Sequence, residues 1–348
     1  MSISIGIVGL GRVGRSMLRT NYIQSANGRF NICVLCDVMP ISQVAYLIAN
    51  DSTYGKAPFS VDFEGDQLII AGKKIHYLQV DRRQGLEKNS SLVTLRNLEI
   101  DVLINATGTA VIDDLRNLVE LQITKKVICS WNIIGCDFSL VYGVNDHEYD
   151  NDRHHVISAS TCTGNAMTPL AYILDKHIGI DYARIITIHP ALSDQHLLDG
   201  YHKNSHLGRT QAASIIPTKT NVGASTSLAL PGLEGKLDSF SYRVPTEIVS
   251  IMDISANLSR ETTLEECTEL FKDYEKNSLA GILHCDYGQW GHEKVSIDFI
   301  GAEYSLIILM NHLVVSNGRQ IGISLMHDNE RGYCCRVLDV IGVINSNF

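Results

Sequence analysis

Apolar residues fall into two textures along this chain. In the first 160 positions they come as short unbroken runs: Ile3 to Val8, Phe30 to Leu35, Asp101 to Ala106, Val127 to Ser130 and Leu140 to Val144. Short continuous runs closed by Gly, Asp, Asn or Ser suit strands buried on both faces of a parallel sheet. Phe59 to Phe63 and Gln67 to Ile70, around Glu64-Gly65, predict a pair of short strands. Beyond about residue 235 the runs follow one another with few crossovers. Phe240 to Val244, Val249 to Ala256, Val295 to Phe299, Tyr304 to Met310 and Ile321 to Met326 read as strands, with Asn317-Gly318 as a hairpin turn. That succession predicts a mostly antiparallel second sheet. Thr262 and Thr263 ahead of Glu265 and Glu266 cap a helix over Leu264 to Lys276, and a last helix spans roughly Tyr333 to Val343. Residues 190–235 are polar, rich in Gly, Ser and Thr, and without a sustained period.

The first strand runs into Gly9-Leu10-Gly11-Arg12-Val13-Gly14 and then a helix through Met17-Leu18. Strand, G-x-G-x-x-G and helix in that order is a dinucleotide-binding fingerprint. Gly9, Gly11 and Gly14 permit the tight turn and let backbone approach a pyrophosphate at the helix N-terminus. Asp37 closes the second strand 23 residues after Gly14. A carboxylate there accepts ribose hydroxyls and repels a 2′-phosphate, which favours NAD over NADP. Thr107 and Ser130, at the ends of later parallel strands, are candidate cofactor contacts, although a loop without a ligand explains each equally well. The expected fold is α/β: a Rossmann-type NAD domain over 1–161, completed by a C-terminal helix in 329–348, and an α+β catalytic domain over 162–328.

The candidate chemistry of the second part is Cys162. It follows Val156-Ile157 and opens a helical pattern that runs from Asn165 to about His177. A helix N-terminus favours a thiolate. A strand from Ala183 to His189 follows, so Cys162 and His189, 27 residues apart, can meet as nucleophile and base. With nine cysteines and thirteen histidines in the chain, such a pair is weak evidence by itself.

At 348 residues the chain accommodates two domains. A net charge of −9 argues against a nucleic-acid partner. No apolar run reaches the roughly 18 residues of a bilayer span, and no basic, signal-like region opens the chain. Nine cysteines without framework spacing point to reduced thiols and a cytoplasmic setting. Cys33-x-x-Cys36 lies in an apolar strand with no second pair, which reads as buried structural cysteine; no metal site is expected.

Taken in order, Gly9 to Arg15, Asp51-Ser52-Thr53-Tyr54-Gly55-Lys56, Gly143-Val144-Asn145, Cys162 with Asn165 and Pro169-Leu170-Ala171, His189, Arg243-Val244-Pro245-Thr246 and Asp328-Asn329-Glu330 resemble the glyceraldehyde-3-phosphate dehydrogenase family over nearly the whole chain. The resemblance implies Cys162 as nucleophile, His189 as base, Arg12, Val13, Asp37 and Ser130 on NAD, and Asn329 at the nicotinamide amide. It also implies a homotetramer. His189-Pro190-Ala191-Leu192-Ser193-Asp194-Gln195 followed by Asp199-Gly200-Tyr201-His202 is most similar to the erythrose-4-phosphate dehydrogenase subgroup, with an apolar residue where the glycolytic pattern has threonine. That subgroup makes 4-phosphoerythronate for pyridoxal phosphate synthesis.

Several positions depart from the family pattern. Leu207 stands where an arginine helps hold phosphate, Gly164 and Ala166 replace a threonine and a cysteine, and Val8 replaces an asparagine. Thr161, Thr163, Arg209, Thr220 and Arg243 are left as possible anion donors, with Asn221, itself a departure, in the loop after Thr220. Loss of the arginine at 207 favours water over phosphate as the acyl acceptor. The expected function is NAD-dependent oxidation of erythrose 4-phosphate. The alternatives are a phosphorylating glyceraldehyde-3-phosphate dehydrogenase, or a relative with another aldehyde, and an NAD-binding regulatory protein with weakened catalysis.

Overall fold

The structure is a computed structural model that describes residues 3–80 and 91–348. It divides into two compact units: one runs to Ser160 and takes in Cys334–Phe348, and the other is Thr161–Tyr333. The division falls one residue earlier than the sequence suggests, and 329–333 go with the second unit.

Among the described residues, the main sheet of the first unit has nine strands in the order Phe138–Ser139, Val156–Ser158, Thr124–Cys129, Ile100–Asn105, Ser4–Val8, Asn31–Asp37, Lys73–Gln79, Gln67–Ile70 and Val61–Glu64. The first seven are parallel, and the last two continue antiparallel. This is the Rossmann-type architecture expected from the unbroken apolar runs. The chain returns to both sides of Ser4–Val8, so the strand order reverses there and the carboxyl ends of its neighbours splay apart, where ligands bind in such sheets. Helix Arg12–Gln24 follows directly and buries Met17, Leu18 and Tyr22.

Leu140–Val144 is not a strand. The strand is Phe138–Ser139, and the apolar run after it is a turn closed by Asn145, whose carboxamide accepts from Val141 N–H (2.8 Å) and donates to the Ser139 carbonyl (2.9 Å). A buried side chain that satisfies backbone groups lets an apolar run turn inside the core.

The second unit holds a mixed, mostly antiparallel sheet ordered Ile216–Thr218, Leu237–Val244, Ile180–Pro190, Ser250–Leu258, Gln320–His327, Leu306–Leu309 and Leu283–Asp286, with Val314–Ser316 paired to Gln320–His327. Helix Cys162–His177 packs against Ile180–Pro190 and Leu306–Leu309. Its N-cap is Thr161, whose Oγ1 accepts from Gly164 N–H at 3.0 Å. Val295–Phe299 is not a strand either. Asp298 accepts from Val295 N–H (2.8 Å) and winds Ser296–Phe299 into a single 3₁₀ turn. Helix Leu264–Lys276 starts at its Thr263 cap, and the last helix is Arg331–Ser346. No described helix is long and apolar enough to cross a membrane.

The tightest constraint in the first unit is at the glycine turn. Gly9 has φ +91°, and a Cβ on Gly14 would stand 2.0 Å from the Gly9 carbonyl oxygen. Gly14→Ala therefore has no room. Chemical denaturation should show a loss of more than about 2 kcal/mol, accompanied by weaker NAD binding. Unchanged stability would show that the turn relaxes.

Candidate active site

Thr161 ends the approach to the helix in extended backbone and Cys162 is its first residue, so the thiol sits among the unpaired N–H groups of the first turn. His189 is the penultimate residue of strand Ile180–Pro190, in phase with the buried Ala183, Ile185 and Thr187. Cys162 Sγ and His189 Nε2 are 4.0 Å apart. The other ring nitrogen, Nδ1, lies 2.9 Å from the Pro190 carbonyl. A carbonyl only accepts, so Nδ1 carries the proton and Nε2 presents its lone pair to the sulfur. That tautomer is the one a base toward Cys162 requires.

Burial pushes the Cys162 thiol up to about 11, opposed by the backbone N–H groups of Thr163 and Cys162 and assisted by the Glu330 carboxylate. By surface area the residue as a whole is only half-buried. Burial also lowers His189; Arg243 adds to that, while Asp194 and the Pro190 carbonyl oppose it. The expected depression of the thiol by the helix N-terminus is thus outweighed by desolvation. Both shifts favour the uncharged forms, a thiol beside an imidazole.

Arg243 is the direct cross-strand neighbour of His189. Its side chain is 12% exposed and donates to Asp194 at 2.6 Å. Thr163 Oγ1 lies 3.3 Å from Thr161 Oγ1, so both hydroxyls stay beside Cys162. Thr220 accepts from Ser239 through its carbonyl (3.3 Å), and Asn221 precedes helix Val222–Ala229 without a side-chain cap bond. Arg209 is not assembled in the same way. Two-thirds exposed, it pairs with Asp199 at 3.1 Å. Asn329 accepts from Val249 N–H at 3.0 Å. That bond clamps Val249 at φ +70°, a costly conformation for a β-branched residue, immediately before Ser250. Ser250 and His327 belong to the same row of the sheet as His189 and were not singled out from sequence.

In the first unit the residues expected to meet a cofactor cluster around the reversal of strand order. Gly9 N–H donates to the Cys36 carbonyl (2.8 Å), and a Cβ on Gly11 would meet nothing within 4 Å, so a ligand can approach the backbone there. Asp37 accepts from Leu10 N–H (2.5 Å) and Met39 N–H (3.0 Å), tying the second strand to the glycine turn. Arg12 pairs with Asp51 at 2.9 Å. Val13 accepts from Cys334 Sγ, Thr107 donates twice to Asn105 (3.1 and 2.7 Å), and Ser130 N–H donates to the Asn105 carbonyl (3.0 Å). The cradle that a Cβ would fill, with an open helix N-terminus beside it, fits a dinucleotide pyrophosphate.

Family comparison assigns residues 3–112 to the NAD binding domain of glyceraldehyde 3-phosphate dehydrogenase and 161–329 to its C-terminal domain. The chain belongs to the glyceraldehyde-3-phosphate dehydrogenase family. Glyceraldehyde-3-phosphate dehydrogenase of Geobacillus stearothermophilus is 33% identical over 99% of both chains, and that of Chlamydia pneumoniae is 32% identical over 99% of both. The protein is therefore an NAD-dependent oxidoreductase. Within this family framework, Leu207 is 4% exposed, an apolar anchor of the 3₁₀ turn Ser205–Gly208.

The Arg243–Asp194 pair has one half-exposed member, which limits its contribution to about 1 kcal/mol. A dianion offered a bidentate contact can displace it. Asp194→Asn should strengthen protection of Cys162 by inorganic sulfate about fivefold, the equivalent of that 1 kcal/mol. Unchanged protection would show that Arg243 takes no anion.

Proposed function

We propose that this dehydrogenase oxidises a phosphorylated sugar aldehyde through a Cys162 thioester that water releases, with erythrose 4-phosphate as the substrate. The observation that carries the release by water is the state of the cations. Arg243 and Arg209 are each paired with a carboxylate, and Leu207 is a buried apolar side chain. One arginine can be recruited by a substrate phosphate; of the remaining candidates Arg209 is two-thirds exposed and Leu207 offers no donor, which favours water over a second, inorganic phosphate. The erythrose 4-phosphate assignment rests on the resemblance of the segment from His189 to His202.

In this reading Cys162 Sγ bonds to the aldehyde carbon, and its proton passes to His189 Nε2, the ring nitrogen that the Pro190 carbonyl leaves free. The 4.0 Å separation closes as substrate binds. The oxyanion of the thiohemiacetal is stabilised by the Cys162 backbone N–H and the charged His189. Gly9, Gly11, Arg12, Val13, Gly14, Asp37, Thr107 and Ser130 would hold NAD, which would supply the hydride acceptor, and the family resemblance adds Asn329 at the nicotinamide amide. His189 releases the Cys162 proton to solvent and, neutral again, takes a proton from water as its oxygen attacks the thioester carbon. The acid leaves and the thiol is restored. Thr161, Thr163, Thr220, Asn221 and Arg243 form the substrate side of the site, and Arg209 is a weaker candidate on account of its exposure.

A phosphorylating glyceraldehyde-3-phosphate dehydrogenase is the second reading, favoured by the names of the relatives. A homotetramer fits the exposed Leu197, Leu198 and Tyr201, which call for cover. A cytoplasmic setting fits nine free thiols.

NADH formation from erythrose 4-phosphate and from glyceraldehyde 3-phosphate, with and without inorganic phosphate, separates the readings. Erythrose 4-phosphate should turn over without phosphate, and added phosphate should accelerate it by less than about tenfold, under 1.4 kcal/mol of barrier. A strict phosphate requirement with an acyl phosphate product would establish the second reading.

A further inference from the structure

Strand Gln320–His327 ends on an imidazole that none of the steps above uses. His327 is 2% exposed, and its Nε2 has no hydrogen-bond partner among the described residues. Ser250 Oγ, fully buried, is in the same condition. Their position gives this meaning. His327 pairs with Ser250, and Ile251 pairs with Ile188. Continuing that register by one residue sets His189 on the other side of Ser250. Directly opposed residues share a face, so the two imidazoles flank one serine on the face where Ala183, Ile185, Met252, Ile254, Ile323 and Leu325 are buried. Strands about 4.8 Å apart separate the two histidine Cα atoms by about 10 Å, a span that two rings and a hydroxyl can bridge. Buried polar atoms without partners are costly and rare; two of them here border the base.

We propose that His327 is a positioning residue for the Cys162–His189 pair: a neutral imidazole that, with the Ser250 hydroxyl, supports the charge His189 acquires when it takes the Cys162 proton. Burial and the nearby His189 charge push His327 down to about 3, so it stays neutral and does not compete for that proton. The register puts its ring and the serine hydroxyl, which can rotate, on the His189 face, where both can support an imidazolium. The other groups acting on His189 are known. Arg243, from strand Leu237–Val244, opposes its charge, and Asp194, just beyond Pro190, favours it. Cys162 approaches from the helix, and Glu330, past the end of His327's own strand, pushes the thiol up. His327 and Ser250 supply polar support from the remaining side.

The proposal rests on the Cys162–His189 pairing of the proposed function but not on which aldehyde or acyl acceptor is used. Its test is the rate of Cys162 alkylation by iodoacetamide between about pH 6 and pH 10, in the whole protein without aldehyde or NAD. Near pH 7 the rate reports thiolate made by proton transfer to His189; near pH 10 the thiolate forms by direct ionisation. His327→Leu should slow alkylation at least about fivefold near pH 7 and by less than about twofold near pH 10, while His327→Gln, which keeps a polar end, should stay within about twofold at both. An unaltered rate in His327→Leu near pH 7, an equal fall at both pH values, or a His327→Gln protein as slow as His327→Leu would each overturn the proposal. If His327→Leu does not fold, Ser250→Ala carries the test. A fall of about threefold confined to neutral pH supports the proposal, and no fall overturns it. A failed substrate assignment would leave these rates untouched and would show instead as absent NADH formation.

Discussion

The register between strands Leu237–Val244, Ile180–Pro190, Ser250–Leu258 and Gln320–His327 is the constraint on which the catalytic half of this molecule depends. It places Arg243 beside His189, and Ser250 and His327 on the other side, all on one face. A slip of one residue in Ile180–Pro190 would turn His189 outward and bring Ile188 in. The register is held because Ala183, Ile185 and Thr187 share the His189 phase and are fully buried. Packing energy spread over the strand thereby fixes one imbalanced, polar position at its end.

The price of that position is desolvation. Burial drives the Cys162 thiol upward and the His189 imidazole downward, so it favours the uncharged form of each. In the proposed mechanism charge develops as the thiol attacks, in a place lined by fixed dipoles: the first turn of helix Cys162–His177 and the carbonyl of Pro190. Arg243 is kept from forcing its full charge on this site by Asp194. In the proposed reading, a substrate anion that takes Arg243 would release Asp194, coupling binding and the electrostatics of the base through one guanidinium.

The nucleotide half of the fold was legible because its signals are local. A glycine turn between strand and helix, and an acid closing the next strand, need no tertiary context to be recognised. The pair Cys162–His189 was legible from the elements on which each residue sits. Leu140–Val144 and Val295–Phe299 were misread because Asn145 and Asp298 satisfy backbone groups that a strand would otherwise pair. Arg209 looked equivalent to Arg243, since exposure depends on how the polar stretch folds back. His327 had a usable signal: Ile321, Ile323 and Leu325 alternate inward, and the same phase lands on a histidine. That signal gains meaning only when the pairing partner, Ser250, and its other neighbour are known.

The central claim is that Cys162 carries the acyl group. Rapid mixing of the protein with erythrose 4-phosphate and NAD, followed by acid quenching, proteolysis and mass analysis of the cysteine peptides, tests it most directly. An adduct equal to the aldehyde less one hydride and one proton should appear on the Cys162 peptide at early times and decay as free acid accumulates. NADH formation with no such adduct, or with the adduct on another of the nine cysteines, would contradict the account.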